Sequence, residues 1–176
     1  MDRKIKIVLL CALAALVVLV AGFVLRFEYN INSLPPAPSE YASEITQVDN
    51  NNFIYKEKII RYPAKGAVIP YVLNETLKVG LSVDKDKLDF GLIPQGLSVN
   101  KVVEFKNNDY GPAKVLVATY GNIKPFVNTE KSFVIAAGDN RSLNIVMNAS
   151  VIGQYSGEID VVMRVPRYES LYYLVF

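Results

Sequence analysis

From Phe53 onward, apolar and polar side chains alternate along the chain with a period of two. In LNETLKVGLSV, Leu73, Leu77, Val79, Leu81 and Val83 share one parity, and Asn74, Thr76, Lys78 and Ser82 share the other. SLNIVMN sets Leu143, Ile145 and Met147 against Ser142, Asn144, Val146 and Asn148; GEIDVVMRV sets Ile159, Val161, Met163 and Val165 against Glu158, Asp160 and Arg164. Successive side chains of a strand point to opposite faces, so this alternation predicts strands with one face in a core and the other in water. Turn formers separate the runs at Asn107–Pro112, Gly121-Asn122, Ala137–Asn140 and Gly153. Strands are predicted over 79–90, 99–106, 113–120, 126–135, 141–149, 157–165 and 168–176, with an earlier pair near 53–62 and 67–73.

No convincing amphipathic helix interrupts these runs, which predicts an all-β fold: an antiparallel immunoglobulin-like sandwich of about seven to nine strands over 53–176. In LDFGLIPQG, Gly91 and Gly96 have the spacing of the two glycines in a phosphate-cradling loop. That loop continues with Lys and Ser/Thr, and here Leu97 and Ser98 follow, so the lysine that holds the phosphates is missing. The stretch reads instead as a turn between strands.

The N-terminal part has a different pattern. Residues 7–25, IVLLCALAALVVLVAGFVL, carry no charge. As a helix they extend about 28 Å, close to the ~30 Å hydrocarbon core of a bilayer. A cleavable signal has a shorter apolar region and a small-residue site, whereas Leu19 stands where a small residue is wanted before Ala21-Gly22. An uncleaved anchor is predicted, with Cys11 as a lipid-facing side chain. Arg3, Lys4 and Lys6 precede it, which places residues 1–6 in the cytoplasm and the remainder outside a cell membrane crossed once. Residues 26–52 contain Leu34-Pro-Pro-Ala-Pro38 and read as a semi-rigid stalk. Tyr41, Ile45 and Val48 have the spacing of a short helix on it.

Composition narrows the chemistry. The chain has no histidine, no tryptophan and one cysteine, which closes histidine-based catalysis, the usual zinc sites and any intrachain disulfide. Of 19 cations and 17 anions, Arg3, Lys4, Lys6 and Asp2 precede the helix, so the outer part is neutral. Nucleic acid, which requires a concentrated basic surface, is not an expected partner. No cofactor, metal or small-molecule substrate is expected. Asp84, Asp86 and Asp89 suggest calcium, but lysines interleave and the glycine of a calcium loop is absent, so a solvated strand edge is the better reading.

Residues 79–165 resemble the Hydin-type (ASH-like) immunoglobulin-like domains, relatives of the major sperm protein fold. The resemblance rests on Leu88-x-Phe90-Gly91 with Gly96, the strand VVEFKNND, Pro125-Phe126, the AAG at Ala136–Gly138, and Gly153-x-Tyr155-x-Gly157-x-Ile159. It implies a non-catalytic module that binds proteins or stacks beside copies of itself. It also implies that Leu88 and Phe90 are core residues, that Tyr155 covers a core edge, and that Gly157 allows a close or bulged backbone.

The remaining candidates are sites on a surface. Asn74, Asn140 and Asn148 each begin an N-glycosylation acceptor triplet and lie on the polar parity of their strands. Tyr110, Tyr120, Tyr155 and Tyr168 are candidate contact residues, since tyrosine is enriched in interfaces. The terminal run ESLYYLVF reads as a last strand, closing its own sandwich or offered to another subunit. The function expected from the whole is a membrane-anchored extracytoplasmic domain that mediates protein interaction or organises the cell envelope. The alternatives are a surface-filament subunit assembling by strand addition and an enzyme using a carboxylate pair, for which two convergent acids suffice.

Overall fold

The computed structural model describes residues 3–71 and 87–175 and divides the chain into two units, Met1–Ser33 and Leu34–Phe176. Asn74, the alternating run at Leu73–Val83, and Asp84 and Asp86 lie outside the described residues.

The first unit holds α1 (Arg3–Asn32), which is longer than the apolar run that predicts it. Its span Ile5–Asn32 is long and apolar enough to cross a membrane, at about 42 Å for 28 residues. Leu25 ends the uncharged run, but the helix continues through Arg26 and Glu28. Cys11 is exposed on it as a free thiol.

The second unit is a sandwich of two sheets. Its strands are β1 (Thr46–Asn51), β2 (Tyr55–Ile69), β3 (Leu88–Pro94), β4 (Ser98–Lys106), β5 (Ala113–Gly121), β6 (Val127–Thr129), β7 (Ser132–Ile135), β8 (Asn140–Asn148) and β9 (Gly153–Pro166). One sheet has the order β1-β2-β9-β5-β7, with β3 also on β2, and the other has the order β4-β8-β6. Every pairing is antiparallel except β2 with β3. Between the sheets lie Phe90, Phe105, Ile145, Met147, Ile159 and Val161, all buried. Burying a side chain of this size contributes roughly 1.5–3 kcal/mol, so this layer sets which face of each strand turns inward. Leu88 and Phe90 are in that core, and Tyr155 packs at its edge.

Several expectations change. The two early strands are one, β2, whose edge is shared: β1 pairs from Lys56 to Arg61 and β3 from Ala64 to Ile69. Pro63 falls in the gap, an unpaired edge of the kind that tolerates a residue without an N–H. Gly91 lies within β3 at φ +70, so the turn after β3 is only Pro94–Leu97. There Leu97 N–H donates to the Pro94 carbonyl at 3.1 Å, and Gly96, at φ +89, takes the third position, where a side chain is disfavoured. Residues 126–135 split into β6 and β7, which belong to opposite sheets.

The C-terminal run is not a strand. Glu169–Leu174 form a 3-10 helix whose Leu171 is buried, with Val175 buried just after it, so packing of two apolar side chains overrides the alternation. The predicted helix at Tyr41–Val48 is absent, because Thr46–Asn51 pair with β2 as a strand. Residues 34–45 are likewise part of the sandwich unit and lie on its sheet instead of forming a free spacer.

Gly157 shows how closely the sheet is fitted. A Cβ there would collide with the Tyr120 carbonyl oxygen, a backbone atom that cannot step aside. Gly157→Ala is expected to cost about 3 kcal/mol by overpacking. Gly138→Ala meets nothing within 4 Å and carries only the strain of φ +79, about 1 kcal/mol. Urea denaturation of the full chain in detergent checks this order; equal losses would contradict it.

Candidate interaction surface

At one end of the sandwich, three segments bring aromatic side chains together. Asn52 shapes the first, because its Oδ1 accepts the N–H groups of Ile54 (2.9 Å) and Tyr55 (2.8 Å), and this turn holds Phe53 outward. The Phe53 ring lies 5.8 Å from that of Tyr168, at the start of the C-terminal segment. The two segments are tied by Arg167 N–H donating to the Ile54 carbonyl at 2.8 Å.

The third segment is the loop Asn107–Pro112, and buried Asn107 organises it. Its Nδ2 donates to the carbonyls of Gly111 (2.8 Å), Ile135 (3.1 Å) and Ala136 (3.1 Å), while Oδ1 accepts Asp109 N–H at 3.1 Å. With the loop held from inside, Tyr110 projects 98% exposed at its tip. The Tyr172 ring lies directly over Gly111, where a Cβ would collide with it. Tyr173, 86% exposed, extends the patch beyond Pro112. A hollow of about 360 Å³ lies among Lys56, Asp109, Tyr110, Arg167, Tyr168 and Tyr172. On its rim Lys56 Nζ sits 2.7 Å from Asp109 Oδ1, in solvent, where such a pair contributes little stability.

Of the four tyrosines singled out from sequence, the structure brings Tyr110 and Tyr168 to this end. The other two are engaged elsewhere. Tyr120 donates its hydroxyl to the Pro35 carbonyl at 3.1 Å, and Tyr155 donates to the Val151 carbonyl at 2.8 Å with its ring centre 4.1 Å from that of Phe126, tilted at 44°. Sequence reasoning missed Phe53, Tyr172 and Tyr173. The turn-forming Asn52 beside Phe53 was an available signal, but Tyr172 and Tyr173 were hidden by the mistaken strand. Asn140 and Asn148, at the two ends of β8, are both exposed.

A second polar feature lies on the outer face of the larger sheet. Alternation predicts water for Glu158, Asp160 and Arg164, yet all three are buried. Cross-strand register arranges them in rows. Glu57, Arg164 and Lys114 form one row; Ile59, Val162 and Leu116 the next; Arg61, Asp160 and Ala118 the third; Pro63, Glu158 and Tyr120 the fourth. The second row is an apolar cluster, and Val162 on the supposedly polar parity was the signal that this face is covered. Arg164 Nε donates to Glu57 Oε2 at 2.6 Å, and its guanidinium lies 5.4 Å from the Tyr55 ring centre. Arg61 Nε is 3.9 Å from Asp160 Oδ2, too far for a hydrogen bond. Burial, then the neighbouring carboxyl of Glu158, push Asp160 up to about 7, with Arg61 pulling the other way.

Two sheets with this core and these turns define an immunoglobulin-like β-sandwich. Residues 80–168, half of the chain, match the HYDIN/CFA65/VesB-like, Ig-like domain, and the chain belongs to that family. No curated protein and no solved structure gives a significant match.

Asn107 is the residue on which the aromatic end depends. Asn107→Ala leaves three carbonyls without their donor, and is expected to destabilise the full chain by about 3 kcal/mol. The check is urea denaturation in detergent together with proteolysis. New cleavage within 107–112 is the expected result, and an unchanged midpoint with an intact loop would contradict it.

Proposed function

We propose that this is a membrane-anchored binding module without catalytic activity, held by α1 with its sandwich outside the cell, and that its aromatic end contacts another protein of the envelope. The observation that carries the reading is the joint exposure of Tyr110, Tyr173 and Phe53 at one end, although apolar surface of this kind is normally withdrawn from water. Tyrosine and phenylalanine bury large areas with few rotatable bonds, which suits them to anchor an interface. The orientation is supported by Arg3, Lys4 and Lys6 before the helix. On that outer side Asn140 and Asn148 are open to a glycosyltransferase.

A second reading, assembly of a filament by strand addition, is favoured by β1, an edge strand of six exposed residues with no partner on its outer side among the described residues. The donor cannot be the C-terminal run, which is a 3-10 helix.

Photo-crosslinking in intact cells tests both. A crosslinker at Tyr110 or Tyr173 is expected to capture a different protein, and one at exposed Val102 is expected to capture none. Capture of a second copy through Val48 on β1 would favour the filament. Equal capture at every position would contradict a dedicated aromatic interface. In the same cells, an intact mass equal to that of the bare chain would rule out glycosylation.

A further inference from the structure

Residues 34–45 cross the outer face of the larger sheet as a strap with two polar fastenings. Tyr120 Oη on β5 donates to the Pro35 carbonyl at 3.1 Å. Ala42 N–H donates to Glu158 Oε2 on β9 at 2.6 Å. Pro36 and Pro38, lying between them, bring no N–H of their own.

Beside the second fastening lies an unusual pair. Glu158 and Asp160, two residues apart on one face of β9, are fully buried, yet among the described residues Glu158 Oε1 and both Asp160 carboxyl oxygens have no donor. Among the described residues, the charged groups facing them are few. Arg61 on β2 has its Nε 3.9 Å from Asp160 Oδ2, and that Nε is itself without a hydrogen-bond acceptor among the described residues. Tyr120 on β5 supplies a hydroxyl already given to Pro35. Glu40 and Glu44 on the strap are exposed. Two adjacent carboxylates out of water repel one another and forgo hydration. One proton removes both problems: it converts an orphan oxygen into a donor for its neighbour, and leaves a single negative charge for Arg61.

We propose that Asp160 holds a proton between itself and Glu158, and that this proton is the latch that keeps the strap on the sheet. When the strap lifts, the proton leaves to water and both acids become solvated carboxylates. The sign follows from burial, which raises Asp160 above its ordinary value of 3.8 to about 7. The closed state holds its proton more tightly than the open one, so closure is strongest below about pH 4 and is lost as pH rises to about 7, above which it levels off. Within that window closure weakens roughly tenfold per pH unit. Once released, the twelve residues from 34 to 45 reach up to about 40 Å.

Hydrogen exchange at the Ala42 amide, in the full chain in detergent and corrected for intrinsic rates, reads the latch directly. Between pH 5 and 7 its protection is expected to fall about fiftyfold in the natural chain and to stay level in Asp160→Asn, which keeps shape and polarity without the proton. Flat protection in the natural chain, or the same slope in Asp160→Asn, would overturn the proposal. If that variant fails to fold, carbon-13 carboxyl titration of the natural chain decides the matter. Asp160 titrating near neutrality supports the latch, and Asp160 titrating in the usual carboxylate range rejects it.

Discussion

The constraint on which this structure depends is the double burial of β9. Its backbone pairs with β2 from Gly153 to Pro166 and with β5 from Gly157 to Arg164, so both edges are filled along most of its length. Its inward side chains, Ile159, Val161, Met163 and Val165, meet the second sheet across the core. Its outward side chains are also withdrawn from water, and three of them carry ionisable groups. A charge in such a place must be paired or neutralised. The strand uses both solutions. Arg164 is paired, through a 2.6 Å hydrogen bond to Glu57. Asp160 is held toward its neutral form by burial and by Glu158 beside it.

That constraint also explains what was legible in the sequence. Alternation located the inner face of each strand well, because a core rewards every second residue in the same way. Ile145, Met147 and Ile159 are fully buried as their parity requires, and exposed Asn140 and Asn148 lie on the opposite parity. The outer face was misread because charged residues are ordinarily solvated, and only Val162 argued otherwise. What covers a face is a property of distant segments, and residues 34–45, more than a hundred positions earlier, carry no local mark of the sheet they lie on. The prolines correctly exclude helix and ladder there, but they do not distinguish a strap from a stalk.

The aromatic end was half legible for a similar reason. Asn107 and Asn52 mark turns by composition, yet the number of bonds each makes depends on which carbonyls tertiary packing brings near. The C-terminal run was misread because an apolar stretch of that length satisfies a strand pattern and a 3-10 helix equally. Seen whole, the sandwich presents rigid aromatic contacts at one end, held by internal hydrogen bonds, and carries on its broad face a strap whose fastening depends on buried acid. The first is the surface proposed for recognition, and the second the proposed latch.

The central claim is that the outward row of β9 lies inside the fold. Carbodiimide labelling of carboxylates in the native full chain at pH 4.5, where the strap is closed, read by peptide mass spectrometry, tests it most directly. Glu130, Glu44 and Asp139 should be modified readily, while Glu158 and Asp160 should stay unmodified until the chain is denatured. Modification of Glu158 and Asp160 at the rate of Glu130 in the folded protein would contradict the account.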